Sequence, residues 1–263
     1  MNEDRLRTLA LDELRYLAQD ESTAGRSSVT RWLRLESEAR SVFLLEDHEP
    51  GEARGVLSSL VSSLVEAWRA LLIAEEPGSS RLLAGPHTPE EMMTVWDVTL
   101  GGLWTAVALD DRESISRVLP RILAREPQDA ALAQACIVQT RQIYLLYQGR
   151  GAEAGKQQRE SWQDWLDLEL VHADDETWAA LRGIAESDAR VVRRSLEELS
   201  RKRALALDLA IEGGAMLRAI PARLVLETDA AALVRLAQIG GLQGSLEPSA
   251  LLTRRAWELW RLD

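Results

Sequence analysis

Apolar side chains recur every three or four residues along most of this chain, and this spacing restricts the fold more than any other feature. The first stripe has five members, Leu6, Leu9, Ala10, Leu14 and Leu17, which share one face of a helix. Composition agrees, because 44 Leu and 35 Ala favour helices whereas only 15 Val, 9 Ile and 11 Thr favour strands. The sequence therefore predicts an all-α protein.

Start and stop signals divide these stripes into about nine or ten helices joined by short turns. The clearest start is Thr88-Pro89-Glu90-Glu91, which supplies a hydroxyl cap, a proline at the first helical position and a carboxylate for a capping box. The longest periodic run, from Ser187 to Met216, fits one helix or two, and Pro221 marks its end. A shorter helix is expected from Thr228 to the Gly240-Gly241 pair.

Two segments depart from the helical pattern. Gly149, Gly151 and Gly155 predict a loop in the middle of the chain, after which Ser161 opens the next helix. Arg223-Leu224-Val225-Leu226 is the only short candidate for a strand.

Short turns favour stacked antiparallel hairpins, either in a bundle or in a short helical-repeat array. An approximate internal repeat points the same way. Trp104 precedes the acidic turn at Asp110-Asp111, and Trp178 precedes a second acidic turn at Glu186-Ser187-Asp188. No 34-residue period accompanies the two hairpins, so they do not predict a tetratricopeptide array.

Length and the distribution of charge bound the class of protein. With 263 residues and no long linker, the chain is expected to form one domain over residues 1–263, with a soft subdivision near 77–87. Charged residues interrupt every apolar run before it reaches the length of a membrane span, so we expect a soluble protein. The acidic start, which does not resemble a secretory signal, and the single Cys136 favour the cytoplasm.

The net charge of −11 disfavours nucleic-acid binding and favours a basic protein as a partner. Charge is also segregated along the chain. Trp162 to Glu176 holds six acids and no Lys or Arg, whereas Arg182 to Arg203 holds seven basic residues and four acids. The acidic stretch suggests docking onto a basic surface, and a solvated face is the ordinary alternative.

One spacing suggests a di-iron site. Glu169 and His172 have the Glu-x-x-His spacing, which places a carboxylate and an imidazole on one helix face. Such a site needs a second copy, but the other histidines, His48 and His87, have no carboxylate three residues earlier. A histidine that meets a nearby carboxylate at a helix end is the simpler interpretation.

Two acidic clusters resemble the magnesium-binding motifs of all-α terpene synthases, namely Asp110-Asp111 with Glu113 and Asp174-Asp175-Glu176. Both clusters stand where the periodicity breaks and where carboxylates cap helices. One Phe and three Tyr are also too few for the aromatic cavity of such an enzyme. Since nucleophile elbows and phosphate loops are missing as well, we expect no catalytic residue, no cofactor and no metal site.

Nine tryptophans stand out in a chain with so little Phe. Most occupy inward helical positions, so core packing is the first explanation. Trp162, Trp165, Trp257 and Trp260 are spaced in pairs three residues apart, and some of them are candidates for a surface that anchors a partner.

Several segments between residues 96 and 240 share a layout with one known family: the Trp96 helix that reaches Ala108-Leu109-Asp110-Asp111, then Val118-Leu119, the hairpin from Trp178 to Leu199, and the helix from Ala204 to Pro221. This layout resembles the all-α immunity proteins of bacterial polymorphic toxin systems, in particular the family numbered forty-nine. The resemblance implies a cytoplasmic antidote that binds a cognate toxin and blocks its active site or substrate surface.

Three hypotheses follow. The first is an immunity protein that binds a basic toxin, with contacts expected at eight residues: Asp110, Asp111, Glu113, Trp162, Trp165, Asp174, Asp175 and Glu176. The second is a helical-repeat scaffold or regulator that binds peptides or proteins in a concave groove. The third is a metal-dependent all-α enzyme of terpene-synthase or ferritin-like type, which the missing ligands disfavour.

Overall fold

The computed structural model describes residues 3–19, 28–45, 52–73, 89–123, 131–171, 175–217, 220, 222–242, 246 and 254–262. These residues form twelve helices and no strand, which confirms the all-α prediction. In chain order the helices are α1 (Glu3–Gln19), α2 (Ser28–Leu45), α3 (Glu52–Ile73), α4 (Pro89–Ala108), α5 (Arg112–Leu123), α6 (Ala131–Tyr147), α7 (Gly151–Asp167), α8 (Glu176–Ala185), α9 (Ala189–Glu212), α10 (Ala222–Leu226), α11 (Thr228–Ile239) and α12 (Arg254–Leu259). None of these described helices is both long enough and apolar enough to cross a membrane.

The chain separates into two compact units. The first contains Met1–Gly85 and Lys202–Thr228, and the second contains Pro86–Arg201 and Asp229–Asp263. The expected subdivision near 77–87 lies outside the described residues, and one domain over the whole chain remains a prediction.

In the first unit, α2 is the central helix and packs against α1, α3 and α10. One face of α2 is buried, with Trp32, Ala39 and Phe43 among the core side chains. Arg40 lies in the same interior and donates hydrogen bonds to the Ile220 carbonyl and, at 2.6 Å, to the Ser37 hydroxyl. Burial lowers the pKa of Arg40, and these hydrogen bonds compensate in part for the loss of water around its charge.

In the second unit, α6 is the central helix and packs against α4, α5, α7 and α8. Ile143 of α6 is fully buried at this junction. Helix α11 is buried over most of its surface, because the five residues 230–234 are all completely inaccessible to solvent.

The last described helix, α12, is held by α11. Arg235 of α11 donates hydrogen bonds to the carbonyls of Trp260, at 3.1 Å, and Arg261, at 2.7 Å. Trp260 is only 1% exposed, so this tryptophan packs in the core and cannot anchor a partner.

The predicted loop at Gly151 and Gly155 is wrong, since α7 begins at Gly151 and includes Gly155. Both glycines lie against Ala185 at the end of α8, and a Cβ at Gly151 would come within 3.5 Å of the Ala185 carbonyl oxygen. Both positions thus pack beside the end of α8 at ordinary contact distances, within a continuous helix. Only Gly149, with a φ of 70°, occupies a turn conformation.

The strand candidate from Arg223 to Leu226 is also wrong, because these residues lie in helix α10. The part of the chain that the structure describes offers no second strand to pair with it, and Val225 and Leu226 are buried as helical residues.

The long run from Ser187 forms a single helix, α9, which ends at Glu212 rather than at Pro221. Gly214, with a φ of 75°, terminates it.

The two acidic turns of the approximate repeat share one backbone geometry. Asp110 and Ser187 have φ values of 54° and 56° and end their helices with the same pair of backbone hydrogen bonds. In each turn the following aspartate, Asp111 or Asp188, accepts hydrogen bonds from backbone N–H groups of the next helix. The same device thus reverses the chain in both hairpins.

Candidate protein-binding surface

Asp111, one of the predicted contact residues, caps helix α5. Its Oδ1 accepts a hydrogen bond from the Ser114 N–H at 3.0 Å, and its Oδ2 accepts one from the Ser114 hydroxyl at 2.8 Å. Both carboxylate oxygens are therefore engaged within the protein, and capping accounts for this aspartate.

Asp110 belongs to a different network, which links the α4–α5 turn to the end of α6. The Tyr147 hydroxyl donates a hydrogen bond of 2.6 Å to Asp110 Oδ1, and Arg112 Nε lies 3.4 Å from the same oxygen. Burial, and next the bond to Asp110, raise the pKa of Tyr147, while the hydrogen bond to Asp110 raises the pKa of Arg112. The third residue predicted here, Glu113, is exposed and forms an ion pair of 3.1 Å with Arg117.

Trp162 and Trp165 of α7 form an aromatic cluster with Trp178 of α8. The three ring centroids lie 5.7 to 6.5 Å apart, and Arg182 lies over the Trp162 ring at 5.9 Å. Trp165 and Trp178 are buried and Trp162 is half-buried. The cluster therefore joins α7 to α8, and of the two predicted tryptophans only Trp162 reaches the surface.

Asp175 caps helix α8 by accepting hydrogen bonds from the N–H groups of Thr177, at 2.8 Å, and Trp178, at 3.4 Å. Glu176 follows in the first turn, where a negative charge meets the positive end of the helix dipole. Asp174 and His172 lie outside the described residues. Among the residues that are described, no group of three or more His, Cys, Asp or Glu is placed to hold a metal ion.

A third acidic group lies at the end of α7, within the acidic stretch of the sequence; of its members only Glu169 belongs to a predicted motif, the Glu-x-x-His spacing. Asp164, Asp167 and Glu169 are all exposed, and Leu168 between them is 57% exposed. These four residues form what we call the acidic end of α7. Their position at the C-terminus of a helix distinguishes them, because acidic side chains stabilise the N-terminus of a helix and not its C-terminus.

The structure does not bring those predicted contacts that it describes into one site. Gly151, at the start of α7, lies against Ala185 at the end of α8, whereas the other ends of these helices meet at Trp165 and Trp178. The stretch from Gly151 to Trp165 spans about 20 Å. Because Asp110 is bonded to Tyr147, just before α7 begins, the Asp110 turn and the acidic end of α7 occupy opposite ends of this hairpin.

The acidic and basic stretches of the sequence meet in a groove of about 670 Å³ between α8 and α9. Asp175 and Glu176 line it together with Arg182, Arg194 and Arg201. Arg201 Nε donates a hydrogen bond of 2.8 Å to Glu198, and the charge of Glu176 adds to the effects that raise the pKa of Arg201. Part of the basic charge of the Arg182 to Arg203 stretch is therefore paired with acids of the same molecule.

No family model matches this chain, and neither a curated protein nor a solved structure matches it. The resemblance to immunity proteins stays an interpretation of the sequence.

Proposed function

We propose that this protein is a cytoplasmic immunity protein that neutralises a bacterial toxin by binding a basic surface of the toxin. The single observation that carries the proposal is the acidic end of α7, where three exposed acids lie within four residues of an exposed leucine. The sequence resemblance and the net charge of −11 support the same partner class.

Capping does not account for the acidic end of α7, where Asp167 accepts a hydrogen bond of 2.8 Å from the exposed Gln163 side chain. Carbonyl groups at a helix C-terminus carry partial negative charge, so each acid there costs about 0.3–1 kcal/mol instead of stabilising the helix. Asp164 and Asp167 lie in the last turn of α7, which contains no basic residue. Asp111 and Asp175, in contrast, cap helix N-termini and stabilise them. Binding to a partner of opposite charge would explain why Asp164 and Asp167 are acidic, whereas helix capping does not.

The arrangement also has the anatomy of a binding surface. Protein interfaces combine an apolar centre with a polar rim, and Leu168 with its acidic neighbours provides both on a small scale. The Trp162, Trp165 and Trp178 cluster lies at the same end of α7 and fixes that end against α8. A fixed surface loses little conformational freedom when a partner binds.

The test begins with the gene next to the one that encodes this protein. Its product is expressed, as an inactive variant if necessary, and titrated with the immunity candidate by calorimetry at two salt concentrations. The triple variant Asp164→Asn, Asp167→Asn, Glu169→Gln should bind about tenfold more weakly or worse, and its affinity should depend less on salt. It should also protect cells poorly against the active toxin.

A matched control removes the same three charges elsewhere, through Glu66→Gln, Glu153→Gln and Glu212→Gln, all of which are exposed residues. This control should keep the affinity within about twofold at physiological salt, where distant exposed charges are screened. Equal weakening by both variants would mean that net charge matters and not this surface. Unchanged binding by the triple variant, or a neighbouring product that is neither toxic nor bound, would refute the proposal.

A second candidate function, a scaffold that binds peptides, is favoured by the groove between α8 and α9. Its walls present charges of both signs along two helices, which suits an extended or helical peptide. Arg194→Glu changes this groove without touching the acidic end of α7. Loss of partner binding in that variant, with full binding retained by the triple variant, would favour the scaffold over the antitoxin.

A further inference from the structure

An open cavity of about 350 Å³ lies in the second unit, between α5, α6 and the end of α11, away from the acidic end of α7. Its apolar lining consists of Ile115, Ile239 and the rings of Tyr144 and Tyr147. Sites for small molecules have this character, with volumes of roughly 300–1,000 Å³, apolar walls and a few polar groups that orient the ligand. The cavity is large enough for a single ring with a short chain.

The polar residues that line the cavity indicate which charge of a ligand is favoured. They are Arg112, Ser116 and Gln148, of which Arg112 carries a formal charge; the Arg112 side chain is 80% exposed and is paired with Asp110. A guanidinium binds a carboxylate through two parallel hydrogen bonds. Asp110 contacts Arg112 at Nε, so the two Nη groups provide the donors for such a pair.

Asp110 holds the cationic side of the cavity in place. It accepts the hydrogen bond from Tyr147 and contacts Arg112, while Arg112 also interacts with the Tyr147 hydroxyl. Asp110 itself ends α4 with a φ of 54°, a left-handed conformation that aspartate adopts more readily than most residues with a side chain.

We propose that this cavity binds a small carboxylic acid that carries a flat apolar group. The carboxylate pairs with Arg112, and Ser116 and Gln148 in the lining supply further hydrogen-bonding groups. The apolar group packs against the tyrosine rings and the two isoleucines, where aromatic rings stack favourably in offset or edge-to-face arrangements. This inference does not depend on the proposed antitoxin function.

The test uses 3-phenylpropionate as the probe and its neutral amide, 3-phenylpropionamide, as the matched ligand, with calorimetry on the full chain. The acid should bind with a Kd of about 1 mM or tighter, as expected for a ligand of this size. The amide should bind about tenfold more weakly, because it cannot form the charged pair with Arg112.

Three variants separate the parts of the site, and circular dichroism checks that each one folds. Arg112→Gln should bind the acid no more tightly than the amide, because the positive charge is lost and Asp110 remains. Ile239→Trp should fill the cavity and abolish binding of both. Arg117→Gln, an exposed arginine on the same helix, should bind like the wild type. No heat of binding with the wild type, or an acid preference that survives Arg112→Gln, would overturn the inference.

Discussion

Asp110 accepts a 2.6 Å hydrogen bond from the Tyr147 hydroxyl, which ties the turn between α4 and α5 to the end of α6. Tyr147→Phe removes this bond and leaves the half-buried carboxylate with the longer contact to Arg112 Nε, at 3.4 Å. We expect a loss of about 1–3 kcal/mol in the free energy of unfolding at pH 7, measured by urea denaturation.

The same hydrogen bond makes stability depend on pH in the alkaline range. Burial and Asp110 raise the pKa of Tyr147 above its ordinary value of 10.0, so the folded protein retains the phenolic proton that the unfolded chain loses. The contribution of Tyr147 to the free energy of unfolding is therefore fully present below pH 10 and declines as the pH rises further. The stability difference between the wild type and Tyr147→Phe should narrow above pH 10, and a constant difference up to pH 11 would contradict this account.

Asp175 caps α8 through the N–H groups of Thr177 and Trp178, so Asp175→Ala should lower the free energy of unfolding by about 1 kcal/mol. Asp164→Ala is the matched control, since it removes the same charge from the opposite end of a helix. Because an acid at a helix C-terminus is unfavourable, that control should leave stability unchanged or raise it by up to about 1 kcal/mol. Equal losses in the two variants would argue that charge, and not capping, is responsible.

Gly183 allows α8 to approach α9. A Cβ at this position would lie 2.9 Å from Val192 Cγ2 and 3.0 Å from Val191 Cγ1, both of which are closer than normal contacts. Gly183→Ala should therefore destabilise the protein by about 1–3 kcal/mol in spite of the higher helix propensity of alanine. The double variant Gly183→Ala, Val191→Ala should recover part of the lost stability, which thermal unfolding would measure.

Gly151→Ala is the control for that experiment. Its Cβ would meet Ala185 at 3.5 Å, an ordinary contact distance, within a helix where alanine is the better residue. It should raise stability by about 0.5–1 kcal/mol. Destabilisation by Gly151→Ala would show that α7 and α8 pack more tightly than the structure indicates.

Arg235 secures the end of the chain by donating to the carbonyls of Trp260 and Arg261. In Arg235→Gln, hydrogen exchange followed by mass spectrometry should speed up in residues 254–262 and remain unchanged in α4 to α7. Arg235→Lys should restore little, because an ammonium group does not reproduce the forked geometry of a guanidinium. Uniformly faster exchange would instead indicate global destabilisation.

Local chemistry was enough to predict the all-α class and several helix ends. Helix α4 begins at Pro89 and α11 extends from Thr228 to Ile239, as the capping signals indicate. Capping groups and apolar stripes act between residues that are close in the chain, so the sequence alone determines their effect. The failures at Gly151 and at Arg223 to Leu226 arose where distant packing overrode local preference.

The candidate surface depended on tertiary structure to a much larger extent. The sequence marked Trp165 and Asp175 as contacts, but Trp178 covers Trp165 and the start of α8 engages Asp175. The sequence places Asp164 and Asp167 in an acidic stretch, but only the structure shows that they are exposed in the last turn of α7. The sequence by itself determined the helices and the acidic charge. Only the tertiary structure decided which carboxylates remain available to a partner, because availability depends on contacts between residues far apart in the chain.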